Sequence, residues 1–423
     1  MTWNSEGRPV EGGRPSGLAS AVALPPFLSA FGFRPYRRLW IGAFLSSVGT
    51  WTQDVALNWL IHTRFVDPRY LGYRSFAADA PLLAFMLVGG AAADRVDRRR
   101  ILVVSQVLQM GFAAALGLLY ATGRLGVFPI LLFAFLTGLA QSQSAPTYQA
   151  VLTTLVPPHQ IPSALALNSL QFNLSRAIGP VIASLLLVKA GTGWCFAANV
   201  VSFLAVIVAL ARIEVPSPGL AGKESLGESL AAGLGHVRRS DVLSVLTALA
   251  AVSSFLAFPL VTYLPVVAGD VLKTGAGGYS ALLSSFGVGA IAGALLTAQR
   301  GQAPRRGSTL LASMAAYGLA TAAAVLSGRQ GLAMALLFVS GIALVSAFSI
   351  LNSLVQENAP EVLRGRIVSI YGLAFRGGMP LGSLVAGFLV KPLGAPPVIA
   401  GFSLLLALLA GAVYLRDHRL REL

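Results

Sequence analysis

Charge is scarce in this chain. Asp, Glu, Lys and Arg together make up 11% of its 423 residues, where a soluble globular domain carries about 25%. With a mean hydropathy of +0.73, that scarcity excludes an ordinary soluble domain and a disordered chain alike. Cysteine is nearly absent: Cys195 stands alone, which rules out an intramolecular disulfide framework and a cysteine metal cluster. The four histidines, His62, His159, His236 and His418, form no metal-like pair, and there is neither an HExxH helix nor a Walker loop. The chemistry of a membrane enzyme, a metal or cofactor site and a built-in ATP motor are therefore not expected. Period-two alternation is also missing, so a closed barrel gives way to a helical bundle. No cleavable signal peptide is expected, because the first apolar stretch runs on to full spanning length behind a tail rich in Gly, Pro and Ser.

What the chain has in quantity is apolar runs of about 20 residues, the length that crosses ~30 Å of hydrocarbon at ~1.5 Å per residue. They predict an all-α membrane protein with twelve transmembrane spans, near 39–62, 74–93, 101–121, 126–149, 162–189, 193–212, 243–267, 277–299, 308–327, 331–356, 364–390 and 394–415. The longest polar connection, 213–242, separates a six-helix unit at 39–212 from another at 243–415, with tails at 1–38 and 416–423. Within that connection, GKESLGESLAAGLGHVRRS predicts a short amphipathic surface helix. The basic residues gather in the N-terminal tail, at Arg95 to Arg100, in the central connection, at Arg300 to Arg306, at Arg364 and Arg366, and in the C-terminal tail. The alternate connections hold only Arg64, Arg69, Arg74, Arg124, Lys189, Lys273, Arg329 and Lys391. This bias predicts both termini in the cytoplasm. It also accounts for the net charge of +15 through topology and anionic lipid, without nucleic acid.

Arg176 and Arg376 lie 200 positions apart, each four residues before a proline (Pro180, Pro380), each near the middle of an apolar run. YRRLW before the first span and VRRSDVL before the seventh repeat at similar spacing. The chain reads as two parallel copies of one unit with a substrate path between them, and ionisable groups at midplane depth are functional by default.

Reading from Gly90 in GGAAADRVDRRR, the glycine, Asp94, Arg95, Arg98 and Arg99 fall in the places of the major facilitator loop motif, Gly-x-Leu-x-Asp-Arg-x-Gly-Arg-Arg/Lys. Ala92 and Asp97 depart from it, and the matching loop of the second half has no acid. GTWTQDVALNWL, APTYQAVLTTLVPPHQIPSALALNS, FNLSRAIGP and LRGRIVSIYGLAFRGGMPLGSLVAG resemble the enterobactin-exporter branch, to which macrolide-efflux-like proteins also belong. The resemblance runs from Pro35 onward. It implies the two-bundle major facilitator fold in the plasma (bacterial inner) membrane, alternating access, and secondary transport of a small amphipathic molecule, siderophore or drug-like, with protons as coupling ion and a monomer as the working unit. Import, lysolipid flipping and a non-transporting receptor are the alternatives. It also implies that the loop with Asp94 rests near Arg364 as a latch when the cytoplasmic side is shut.

Among intramembrane groups, Asp54 and Asp79 are the proton-coupling candidates, with a permanent ion pair and a wetted, inert acid as the respective alternatives. The first and fifth helices adjoin in the superfamily, which makes Arg176 the expected partner of Asp54. Arg376 has no evident acid in the seventh span and so points to an anionic group on the substrate, with a bond to helix carbonyls or to Glu357 as the alternative. Gly179-Pro180 partly resembles the antiporter motif and, with Pro380, predicts a helix kink or hinge.

Overall fold

The computed structural model describes residues 26–88, 97–215, 226–300 and 305–423. Gly90, Asp94 and Arg95 lie outside the described residues. What is described is overwhelmingly helical. The first half holds α1 (Arg34–Arg64), α2 (Arg69–Val88), α3 (Arg98–Ala121), α4 (Val127–Thr154), α5 (Ile161–Lys189) and α6 (Thr192–Ala211). After the central connection come α7 (Leu226–Arg239), α8 (Asp241–Ala257), α9 (Pro259–Val266), α10 (Gly275–Arg300), α11 (Arg306–Leu326), α12 (Gln330–Asn358), α13 (Arg364–Leu393), α14 (Ala395–Arg416) and α15 (His418–Glu422).

Local chemistry sets the boundaries. Asp97 caps α3 by accepting from the Arg99 amide, and Ser240 caps α8 by accepting from Leu243. Gly394, at φ 82°, turns the chain from α13 into α14, where a left-handed backbone favours glycine. Pro259 divides the seventh predicted span into α8 and α9, and a π-turn at Val267–Val271 ends it. That break follows from the missing proline N–H. The expected amphipathic segment forms α7, whose Gly233 lies against Ile370 and Arg366 at the start of α13.

Ten helical segments among the described residues are long and apolar enough to cross a membrane. The other two predicted spans, 39–62 and 74–93, fall on α1 and α2, the helices that carry Asp54, Arg74 and Asp79; the second runs past the described residues. Large apolar side chains such as Phe128, Trp194, Phe388 and Leu408 stand exposed on the helix surfaces, as a lipid solvent permits.

Packing sorts the helices into two groups. α1 lies against α5 and α6, α3 against α4 and α6, and α2 against α4; in the second half α11 contacts α12 and α14, α10 contacts α12, and α13 contacts α8. The groups meet along α5–α10 and α2–α13. Gly289 and Gly293 of the Gly-x-x-x-Gly spacing on α10 pack against the backbone of α12 at Phe338 and Ile342, a packing role.

Candidate transport cavity

Two cavities stand out among the described residues. The larger, about 620 Å³, lies between α3 and α6, and no charged side chain lines it. The smaller, about 300 Å³, lies between the two halves. It is lined by Asp54, Asn58, Arg74 and Asp79 from α1 and α2, by amides including Gln53 and Gln141, and by Phe258, Val261 and Met379 from the second half. All of its charge thus comes from the first half, while the second half contributes the apolar Phe258, Val261 and Met379 with the hydroxyls of Thr262 and Ser383. The smaller cavity is the one that can do chemistry.

Asp54 forms an ion pair with Arg74, not with Arg176. Arg74 also donates from Nη1 to Asn58 Oδ1 at 2.8 Å, so one guanidinium spans two positions a turn apart on α1. Arg176 turns instead toward α10. Its Nη2 donates to Asn173 Oδ1 at 3.2 Å, and its guanidinium lies 5.9 Å from the Phe172 and Phe286 rings. The expectation of an Asp54–Arg176 pair fails because helix adjacency does not fix helix rotation: α5 meets α1 through Gly179, Ser175 and Thr52, and Arg176 occupies another face. By sequence alone Arg74 counts as an outer-face topology charge. The only sequence signal for its role was its place on the same helix as Asp79, inside an apolar run.

Arg376 is exposed, with no hydrogen bond or ion pair recorded among the described residues. Glu357 is not its partner, since that carboxylate is held by Arg306 (Nη1 to Oε1, 2.8 Å) and by Ser353. The seventh span has no acid of its own, and α2, which carries Asp79, approaches α13 from the other half.

The remaining candidates separate. Arg99 donates to the Ala211 carbonyl at the end of α6 (2.8 Å), and Arg364 to the Gln356 carbonyl (3.1 Å); Asp94, the acid expected beside Arg364, lies outside the described residues. Arg98 is half-buried at the start of α3. Gly179, Pro180 and Pro380 are buried within α5 and α13, and both helices run continuously through them. Thr52 donates to the Gly179 carbonyl (3.2 Å) beside the proline.

Sequence reasoning missed a seal between the halves where the α1–α2 and α13–α14 connections lie. Asp67 accepts from Lys391 Nζ at 3.0 Å and is also bound by Arg69. Tyr263 donates to the Ser383 carbonyl at 2.9 Å, and its hydroxyl sits against both Gly72 and Gly387. Trp59 stacks on the buried Tyr279 with ring centroids 6.0 Å apart, and His62 lies 3.5 Å from Asp270. The Arg69 hydrogen bond, aided by Lys391, holds the Asp67 carboxyl well below the usual carboxylate range. A depressed acid contributes stability at every pH above its unfolded value and loses it only as pH falls through the folded one. The Asp67 link therefore persists through mild acid and does not sense a physiological proton gradient.

The family model described as transmembrane secretion effector matches residues 26–423. The chain belongs to that family of major facilitator transporters. Members of this family and their relatives are transporters and not enzymes, and bacterial members place it as a multi-pass membrane protein. It is 27% identical over 404 residues to the multidrug efflux pump Tap of Mycolicibacterium fortuitum, covering 92% of this chain and 97% of that protein. It is 20% identical over 362 residues to macrolide efflux protein A of Streptococcus pyogenes, covering 84% and 89%. A 170-residue stretch is 29% identical to the staphyloferrin A transporter of Staphylococcus aureus, covering 40% of this chain and 43% of that one. The nucleoside transporter NupG superposes with a TM-score of 0.72 at 13% identity, covering 90% of this chain and 99% of that one. A D-xylose–proton symporter gives 0.70 at 14%, covering 89% and 96%. At such identities the structural likeness carries the fold alone. This secretion-effector fold therefore frames the cavity between its two halves.

Proposed function

We propose that this transporter is a proton-coupled exporter of a small amphipathic molecule, working by alternating access. Twelve spans, with 39–212 and 243–415 as the moving units, form a monomer in the plasma (bacterial inner) membrane with both termini in the cytoplasm. The observation that carries the reading is the cavity between the halves, where the charged groups of α1 and α2 stand among apolar side chains from both halves. A polar head can bind to α1 and α2 while an apolar body lies on Phe258, Val261 and Met379. Two acids, Asp54 and Asp79, face that space, and no ATP motif competes with a proton as energy source. Efflux relatives favour export over import or lipid flipping. In this orientation the seal closes the outer end, and the conformation faces inward.

The test is flux in proteoliposomes loaded with a panel of basic macrolides and acidic siderophores. An imposed proton gradient is expected to drive at least one of them uphill, and nigericin to stop it. Uphill flux that survives nigericin would remove proton coupling, and flux of no panel member would remove the amphipathic substrate.

A further inference from the structure

We propose that the groove between α3 and α6 binds an anionic phospholipid, with an acyl chain along the groove and the phosphate among Arg64, Arg124 and Lys189 at its mouth. The inference is independent of proton coupling and of the transported molecule. It takes from the proposed function only the orientation, which makes the leaflet the outer one.

The groove is the larger cavity, about 620 Å³, and small residues make it: Ala114, Gly117 and Ala121 on α3, Gly193 and Ala197 on α6. Tyr120 and Trp194 line the end nearest the connections, the depth at which amphipathic rings meet lipid headgroups. Leu118, Trp194 and Val201 are each more than half exposed, so the groove opens on the lipid-facing surface. An empty recess forfeits dispersion contacts, and one without a charged lining does not hold water in its place. A hydrocarbon chain is the filling that the surroundings supply. The groove also backs onto the transport cavity, since Ala113 lines both. On α6, Asn199 and Phe203 face that cavity while Ala197 and Val201 face the groove. A chain lying there braces the partition between lipid and transport path.

Charge at the mouth selects the headgroup. After α3 the chain folds back, with Gly123 N–H donating to the Tyr120 carbonyl (3.1 Å) and Arg124 N–H to the Leu119 carbonyl (2.9 Å), which keeps Arg124 beside the groove. Arg64 reaches the same turn from α1 and donates from Nη2 to the Gly123 carbonyl at 3.2 Å. Lys189 ends α5, one residue before Ala190 of the groove lining. The side chains of Arg124 and Lys189 are exposed, and among the described residues neither has an ion pair or hydrogen bond. Residues 122–126 and 190–191, the two connections at the mouth, contain no acid. Asp67, three residues beyond Arg64, is held by Arg69 and Lys391. Three cations thus gather on the face that ordinarily carries few, without a protein counter-ion, where a lipid phosphate can meet them.

The test titrates the detergent-purified protein with dioleoyl phosphatidylglycerol, and separately with phosphatidylcholine of the same chains. Native mass spectrometry reads binding, and the melting temperature reads its effect. Wild type is expected to retain phosphatidylglycerol in preference to phosphatidylcholine and to melt higher with it. The double variant Arg124→Gln, Lys189→Gln, altered only at exposed positions, should lose phosphatidylglycerol affinity by roughly 5-fold per cation, the ordinary worth of one basic residue at an anionic surface. Its phosphatidylcholine binding should not change. Ala197→Trp, which fills the groove from an exposed position, should weaken both lipids. Arg329→Gln, at the outer end of the second half, should bind as wild type. Equal binding of the two lipids by wild type overturns the site, and so does a double variant that keeps the preference. An equal loss in Arg329→Gln shows diffuse attraction only and overturns it as well. An Ala197→Trp protein that binds both lipids like wild type, yet carries the macrolide and siderophore panel more slowly, makes the groove a substrate path and overturns the lipid assignment. No lipid readout uses a proton gradient, so failure here leaves the proposed function untouched.

Discussion

Gly72→Leu is expected to leave the protein helical and inserted but unable to shut its outer end, with transport reduced to background. A side chain at position 72 has nowhere to go. Its first carbon alone would lie 2.6 Å from the Tyr263 hydroxyl and 2.8 Å from the Ser383 carbonyl, both in the other half. A hydroxyl pinned to a carbonyl and a backbone oxygen do not yield as the tip of a flexible chain would. Gly382→Leu provides the contrast, since a carbon there would lie 1.9 Å from the Phe255 carbonyl within the same half, where α13 packs on α8. Overpacking of this kind costs about 1–3 kcal/mol or more. At position 382 the cost falls on the fold, and at position 72 on one conformation of the cycle. Circular dichroism, melting in detergent and cross-linking of cysteines at the outer ends separate the two. A Gly72→Leu protein that cross-links and transports like wild type would show that the seam does not have to close.

Arg74→Ala is expected to lower stability by about 2–3 kcal/mol, read as a fall in the detergent melting temperature. Removing one member of an ion pair in a low-dielectric site strands the other. The loss falls short of the ~3–5 kcal/mol of a fully buried pair because the Asp54 side chain is 37% exposed to the cavity. The double variant Asp54→Asn, Arg74→Gln should recover most of the loss, since it leaves no orphan charge. Gradient-driven flux that survives in this variant would exclude Asp54 as the coupling group. Loss of that flux in a stable double variant would return the coupling role to Asp54. A single variant no less stable than the double would mean that the pair does not hold α1 to α2.

The helices and their sequence positions were legible because lipid imposes a simple rule: backbone groups must be satisfied within the segment, so apolar runs of spanning length become helices. The repeat around Arg176 and Arg376 was legible as text. Which of the charged groups meet was not. Asp54 has Arg74 and Arg176 within reach by helix order, and only the rotation of α1, α2 and α5 about their axes chooses between them. That α2 of the first half lies against α13, the helix of Arg376, was equally hidden, since it depends on how the two halves pack. The seal was invisible for a similar reason. Gly72, Tyr263, Ser383 and Gly387 carry no motif, and they matter only because three helices bring them to one point.

The sequence by itself determined that this protein is a helical membrane transporter, where its helices lie along the chain, and which ionisable residues are carried into them, because composition and hydropathy act locally. The tertiary structure alone decided the pairing of those charges, the cavity they face and the end at which the halves close. Each of those depends on helix rotation and register across the 213–242 connection, which no local pattern encodes.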